Sequence, residues 1–394
     1  MGRVDRELVW TGSINARALG HEEPRHVGLY DTTLRDGEQT VGVVLDPEQK
    51  LEIARLLDAF GIDRIEAGFP RVSDEDHRAI EMMRDAHLRA ELWGFSRAVP
   101  DDVAAIADLG LTSTVIEAPV SDLKLGALGV ERSEMLRRIR TAVAAAVQHG
   151  VKVAYFAVDS TRADLSFLES VYKTSLDAGA QEVVVVDTIG VATPEAAAFL
   201  VEAVRNWVGP DVPVHFHGHN DFGLGTAAAI AAVRAGASFV QGTVNGMGER
   251  AGNTSLPEVA LALDVLYGYE TNLRLEFVHE VSRRVRELSG YQMAPWTPLV
   301  GENLFRRETG TAVSQFHVPQ AIEPYGAALV GAERAVVLGK RSGRDSIRIK
   351  CEELGLDASP EQQRTLLQRV KELATKKRGL VTDDEFRGLC RDLD

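Results

Sequence analysis

Three histidines stand at alternate positions of the segment HFHGHND: His215, His217 and His219, with Asn220 and Asp221 directly after them. In an extended strand neighbouring side chains point to opposite faces, so the three imidazoles share one face. Imidazole is the commonest metal-ligating side chain, and a row of three aimed into a cleft can supply two ligands. His215 lies deepest in the strand and also reads as an ordinary core histidine. A second motif, LYDTTLRDGEQ, ends another apolar run with Asp31, Arg35, Asp36, Glu38 and Gln39. A carboxylate from this group opposite two imidazoles would complete a two-histidine, one-carboxylate centre with open positions for substrate. Read alone, Arg35-Asp36-Gly37 is also an ordinary charged turn. A third segment, NGMGERAGN from Asn245 to Asn253, carries glycines that let backbone approach a ligand closely, a weak signal when isolated. Asp187-Thr188 closes a further run, where Thr188 either binds a carboxylate or caps the next helix.

These residues need elements to position them. Eight β-rich runs begin at Val27, Arg64, Glu91, Ser113, Val151, Glu182, Val212 and Ser238, and amphipathic helical stretches separate them. Several runs are nearly continuous in Val, Ile and Phe, as strands covered on both faces should be. Asp46-Pro47 and Thr193-Pro194 mark helix starts, and Gly61 marks a helix end. No G-x-G-x-x-G follows the first strand, which disfavours an open dinucleotide-binding sheet and favours a closed (β/α)8 barrel. Such barrels carry their chemistry at the C-terminal ends of the strands, where the motifs above fall. The pattern changes near Met293. The expected plan is an N-terminal extension (1–26), a catalytic barrel (27–292) and a C-terminal linker and helical subdomain (293–394), whose helix from Ser359 is assigned to structural or dimer packing.

Composition narrows the function. The chain of 394 residues has a formal net charge of -14 and no dense Lys/Arg block, which speaks against nucleic acid as a partner. No apolar run approaches the roughly 18 to 20 residues needed to span a bilayer. The charged N-terminal stretch lacks the apolar segment of a secretory signal, so a cytoplasmic enzyme is expected. The two cysteines, Cys351 and Cys390, lack metal-binding spacing and read as inert thiols in a reducing compartment.

Together the motifs resemble the metallolyase barrel family of 2-isopropylmalate, homocitrate and citramalate synthases and, more distantly, hydroxymethylglutaryl-CoA lyase. DTTLRDGEQ, EAGFP, PVSD, HGHNDFGLGTA and GERAGNTSLPE occur in the family's order between about Val27 and Asp264, with weaker similarity onward. The resemblance implies that Asp36, His217 and His219 hold one divalent ion (Zn, Mn, Mg, Co or Fe), with Asn253 as a further or transient ligand. It implies that Arg35 stabilises an oxyanion and that Thr188 hydrogen-bonds the carboxylate of a 2-oxo acid. Gln39 and Arg162, retained in the matched segments, are expected to contact substrate. The implied reaction joins acetyl-CoA to a small 2-oxo acid, giving a 2-alkylmalate-type product and CoA, in a homodimeric enzyme of amino-acid biosynthesis.

Two departures concern proton transfer. Related synthases carry Glu before the Asp of an E-D-x-x-R-x-D segment, whereas FAVDSTRAD places Val158 there and keeps Asp159, Arg162 and Asp164. Their H-E-S-G-I-H motif corresponds to Arg307-Glu308-Thr309-Gly310-Thr311-Ala312, so Ala312 replaces a histidine. His317, five residues on, is the expected substitute base, with Glu308 as fallback. Plain surface placement is the competing reading of His317. EAGFP looks closer to isopropylmalate synthases and PVSDLKL to homocitrate synthases, so the acceptor stays open, a phosphorus-containing pyruvate analogue included. A counterpart of the regulatory domain of many isopropylmalate synthases is not expected, nor is feedback through one. Two other classes compete. A carbon-carbon lyase would largely dispense with the C-terminal subdomain. A non-catalytic metal- or CoA-binding protein would have no need of Arg35.

Overall fold

The computed structural model describes residues 4–20 and 25–393. The chain divides into two units, one spanning Ile14–Gln292 and the other joining Val4–Ser13 to the segment from Met293.

In the first unit eight parallel strands form a closed barrel in sequence order: β1 (Gly28–Asp31), β2 (Arg64–Gly68), β3 (Glu91–Arg97), β4 (Ser113–Pro119), β5 (Lys152–Val158), β6 (Glu182–Asp187), β7 (Val214–Gly218) and β8 (Phe239–Gly242). The expected barrel is therefore the observed one. Closure is made by β8 on β1, where Gly28 faces Phe239 and Asp31 faces Gly242. The seam needs glycine at 28, because a Cβ there would lie 2.1 Å from the Phe239 ring. Period-two alternation turns Tyr30, Trp93, Phe95, Val115, Phe156 and Val184 into one buried cluster.

The helices begin and end where the sequence signals them. Asp46 accepts from the Gln49 amide while Gln49 bonds back to Asp46, so the helix Pro47–Phe60 starts with both donors satisfied. Gly61 ends it in the left-handed region at φ 94°.

His215 is a core residue. Its Nε2 lies 2.6 Å from Glu182, which also accepts from Arg64 at 2.6 Å. Burial pushes His215 below its ordinary pKa, so the neutral ring donates to Glu182. Burial acts to raise Glu182, but the bonds from His215 and Arg64 outweigh it and hold the carboxylate well below its usual range.

In the second unit Trp10 donates its backbone N–H to Pro324 and Gly326 donates to Leu8, at 2.9 and 2.8 Å. Of the N-terminal stretch expected as an extension, Val4–Ser13 groups with this unit and the short helix Ile14–Leu19 with the barrel unit, while 1–3 and 21–24 lie outside the described residues. Three helices, Arg344–Leu354, Pro360–Lys377 and Asp383–Arg391, enclose a core that includes Leu338, Ile347, Leu366, Val370 and Phe386. The helix that Ser359 caps therefore packs into the core of its own unit. Both cysteines are free thiols, and burial pushes Cys351 up to about 11. Among the described residues no helix is long and apolar enough to cross a membrane.

Candidate active site

The loop leaving β1 offers several carboxylates, and packing eliminates all but one as a free ligand. Asp31 accepts from the Thr33 amide at 2.8 Å and the Thr33 hydroxyl at 3.0 Å, which holds the loop. Glu38 pairs with the buried Lys50 at 2.5 Å and accepts the Leu45 amide at 2.8 Å. Asp36 points instead toward the end of β7, where its Oδ2 lies 3.2 Å from His217 Nε2 and 3.7 Å from His219 Nε2. The two Nε2 atoms are 3.4 Å apart, and all three residues are buried.

This donor set fits a divalent ion. The three ligand atoms lie within 4.8 Å of one another. Asp36 Oδ1 and Asn253 Oδ1 are buried without a hydrogen-bond partner, a state that costs about 1–3 kcal/mol per group unless something else satisfies it. Asn253 donates its Nδ2 to the Met247 carbonyl at 3.0 Å, which leaves the unpartnered oxygen as its available lone-pair donor. Isolated β-bridge pairing sets Asn253 directly beside His219. The protonation states agree. Burial, then the neighbouring His217, push His219 down to about 4, so its ring is neutral with a lone pair to give. Burial acts to raise Asp36, but Arg35 and His217 outweigh it and keep the carboxylate ionised. Mixed N/O ligation with open positions suits Zn, Mn, Mg, Co or Fe.

Arg35 stands over this centre. Its Nε donates to Glu66 Oε2 at 2.7 Å, Nη1 lies 3.1 Å from Asp36, and the guanidinium stacks 4.2 Å from the centre of the Phe95 ring. Burial disfavours its charge, but Glu66 and Asp36 hold the proton firmly on, and Nη2 is left buried without a partner.

A pocket of about 190 Å³ opens beside these groups, and Arg35, Asp36, Gln39, Thr188, His217 and His219 are among its lining residues. Thr188 Oγ1 accepts the Asp159 amide at 2.7 Å, so its own hydrogen remains available to a ligand. Arg162 does not line the pocket. It forms a two-pronged pair with Asp159, both bonds 2.8 Å. His317 and Glu308 lie in the second unit: His317 is exposed, and Glu308 accepts the Arg341 amide at 2.9 Å.

Sequence reasoning passed over Glu66, Phe95 and Glu117. The available signal was a lone acid inside an apolar strand, as in RIEAGFP and STVIEAP, which demands a partner or a purpose.

A family model described as HMGL-like matches residues 26–285, and a second, Homocitrate synthase post-HMGL domain-like, matches residues 299–378. The chain is 42% identical to Homocitrate synthase AksA of Methanopyrus kandleri over 94% of this chain and 93% of that protein. It is 44% identical to the Probable 2-isopropylmalate synthase of the same organism, over 90% of this chain and 71% of the other. Among solved structures, hydroxymethylglutaryl-CoA lyase from Pseudomonas aeruginosa superposes with a TM-score of 0.62 at 22% identity, covering 68% of this chain and 95% of that one, a likeness of fold.

Proposed function

The chain belongs to the HMGL-like family, and from that premise we propose that it condenses acetyl-CoA with a small 2-oxo acid to give a 2-alkylmalate-type product and CoA. The observation that carries this reading is the convergence of Asp36, His217 and His219 beside the unpaired N–H edge of Arg35 in one pocket. The match of residues 299–378 to the homocitrate synthase model favours a synthase over a lyase.

Asp36, His217 and His219, with Asn253, would hold the ion, which when bound polarises the acceptor's ketone and fixes its geometry. The chain's own groups do the rest. Thr188 donates to the acceptor carboxylate, Gln39 bounds the same pocket, and Arg35 offers its Nη2 donor to the oxygen that gains charge as the carbon-carbon bond forms. Arg35 suits this role because Glu66 fixes its orientation before substrate arrives and because it cannot lose its proton. Water then hydrolyses the thioester, which releases CoA and draws the reaction forward. His317 and Glu308 enter as the second unit's candidates for proton transfer. A cytoplasmic homodimer completes the proposal.

The acceptor class is decided by turnover. Release of CoA from acetyl-CoA is measured with 2-oxoglutarate, 2-oxoisovalerate, pyruvate and phosphonopyruvate. One acceptor should stand out in kcat/KM. Absence of acetyl-CoA consumption with every acceptor by the metal-loaded protein sinks the reading.

A further inference from the structure

Two carboxylates lining the pocket, Glu117 and Glu249, have no part in these roles. Glu117 lies on β4, where it pairs with Phe156 of β5, two residues before the Pro119–Val158 pair. It lines the same pocket as Asp36, His217, Thr188 and Val158. The other acids around this end of the barrel are engaged. Glu66 holds Arg35, and Asp159 is gripped by Ser121 and Arg162. Asp187 accepts from Thr161 and from the Val191 and Ala192 amides. Glu249 is 57% exposed and pairs with Arg250. Among the described residues no group hydrogen-bonds or ion-pairs with the Glu117 carboxylate. Glu117 is half-buried, and a carboxylate that lines the pocket with no protein partner is free to meet a ligand.

We propose that Glu117 is the general base of the condensation, the group that takes a proton from the acetyl methyl of acetyl-CoA. The inference rests on the condensing activity proposed above. The methyl C–H bond breaks, its electron pair remains on the acetyl group as an enolate, and the proton passes to the Glu117 carboxylate. The enolate carbon then bonds to C2 of the oxo acid while the ketone π pair moves to oxygen. The neutral acid left on Glu117 returns the proton to that alkoxide, so bond formation consumes no net proton, and water is the only further reactant in release of CoA.

Three features support the assignment. The strand register sets Glu117 next to the site where Val158 leaves an apolar wall, so a long side chain from β4 reaches space that β5 does not fill with a functional group. The charged groups that face it are Arg35 after β1, Glu66 on β2, Arg97 on β3 and Lys124 on the helix Asp122–Leu128. Burial, reinforced by Glu66, outweighs the three cations and raises Glu117 above the ordinary glutamate value, toward the range in which a carboxylate is an effective base at neutral pH. The other candidates are in a different state: Glu308 accepts the Arg341 amide through Oε1, and His317 is exposed.

The test uses the metal-loaded full chain and the acceptor that the turnover panel selects. Glu117→Gln keeps the shape and removes the base. Its kcat should fall about 100- to 10,000-fold, with the acceptor KM within about threefold of wild type and metal content unchanged. Glu117→Asp should recover part of the lost turnover. A Glu117→Gln enzyme with near-normal kcat overturns the assignment. So does a loss confined to the acceptor KM, which would make Glu117 a specificity residue, or a collapse of kcat in His317→Ala with Glu117→Gln intact. Wild-type protein that consumes no acetyl-CoA with any acceptor is a different failure, because it removes the condensing activity itself.

Discussion

Glu66 Oε2 accepts the Nε–H of Arg35 at 2.7 Å, and this bond decides which edge of the guanidinium faces the pocket. With Nε engaged by Glu66 and Nη1 beside Asp36, Nη2 is the donor left over, buried and unpartnered. Arg35→Lys keeps a charge but has no planar fork to divide between Glu66 and a substrate oxygen. Its kcat is expected to fall at least about 100-fold, as when an oxyanion donor is removed. Glu66→Gln should cost less, because Arg35 is retained and only its aim is loosened. Steady-state kinetics of both variants check the order, and near-normal turnover in Arg35→Lys would refute the role.

The metal assignment predicts a sharp difference between neighbouring histidines. His217→Ala and His219→Ala should lose the bound divalent ion, whereas His215→Ala should retain it despite a lower melting temperature, since His215 is bonded to Glu182. Elemental analysis of the three purified variants decides. A second readout is thermal stabilisation by added metal, about 2.7 kcal/mol at a hundredfold excess over Kd, which should vanish in the first two variants.

Much of this site was legible before the fold. Alternate histidines on one strand and an acid-rich turn at the end of another are patterns that period-two geometry converts directly into a shared mouth. The choice among Asp31, Asp36 and Glu38 was not legible from spacing, because it depends on which carboxylates find other partners. Thr33 lies two residues from Asp31, but the Lys50 that occupies Glu38 comes from the following helix. Glu117 was missed for a related reason. An acid in an apolar strand is visible in the sequence, but only the fold shows that it lines the pocket. The division of the N-terminal stretch between two units had no sequence signal, since Val4–Ser13 is held largely by backbone bonds such as Trp10 to Pro324.

The Arg64–Glu182–His215 cluster predicts an acid-sensitive barrel. Glu182 has a folded-state pKa well below its ordinary value of 4.5. Its ionised form therefore contributes stability above the unfolded pKa, and that contribution is lost as pH falls below about 4.5 toward the lower folded value. Glu182→Leu leaves His215 buried without its acceptor and Arg64 with Glu91 alone, paired at 3.0 Å, and should destabilise the protein by about 3–5 kcal/mol at pH 7. The gap in melting temperature between wild type and variant should narrow steadily below pH 4.5. A gap that stays constant down to pH 3 would contradict the linkage.

Thr188 and Arg162 were expected to share a role, and their geometry separates them. Thr188 accepts the Asp159 amide and keeps its hydroxyl hydrogen for the pocket it lines, whereas Arg162 directs both prongs to Asp159. Asp159 sits in the left-handed region at φ 70°, a conformation uncommon for a non-glycine residue, and it is buried. Arg162 and the Ser121 hydroxyl hold its carboxylate, and the Thr188 hydroxyl holds its amide. Arg162→Met should therefore act as a positioning change, lowering stability by about 1–3 kcal/mol while the acceptor KM stays within about threefold. Thr188→Val should instead reduce kcat/KM for the acceptor about 10- to 100-fold, the worth of a hydrogen bond to a charged group. Thr188→Ser, which restores the hydroxyl, should return most of that loss, and metal content should be unchanged throughout. An Arg162→Met enzyme with normal stability and a hundredfold higher acceptor KM would show that this arginine reaches substrate after all, and that its pairing with Asp159 breaks when the acceptor binds.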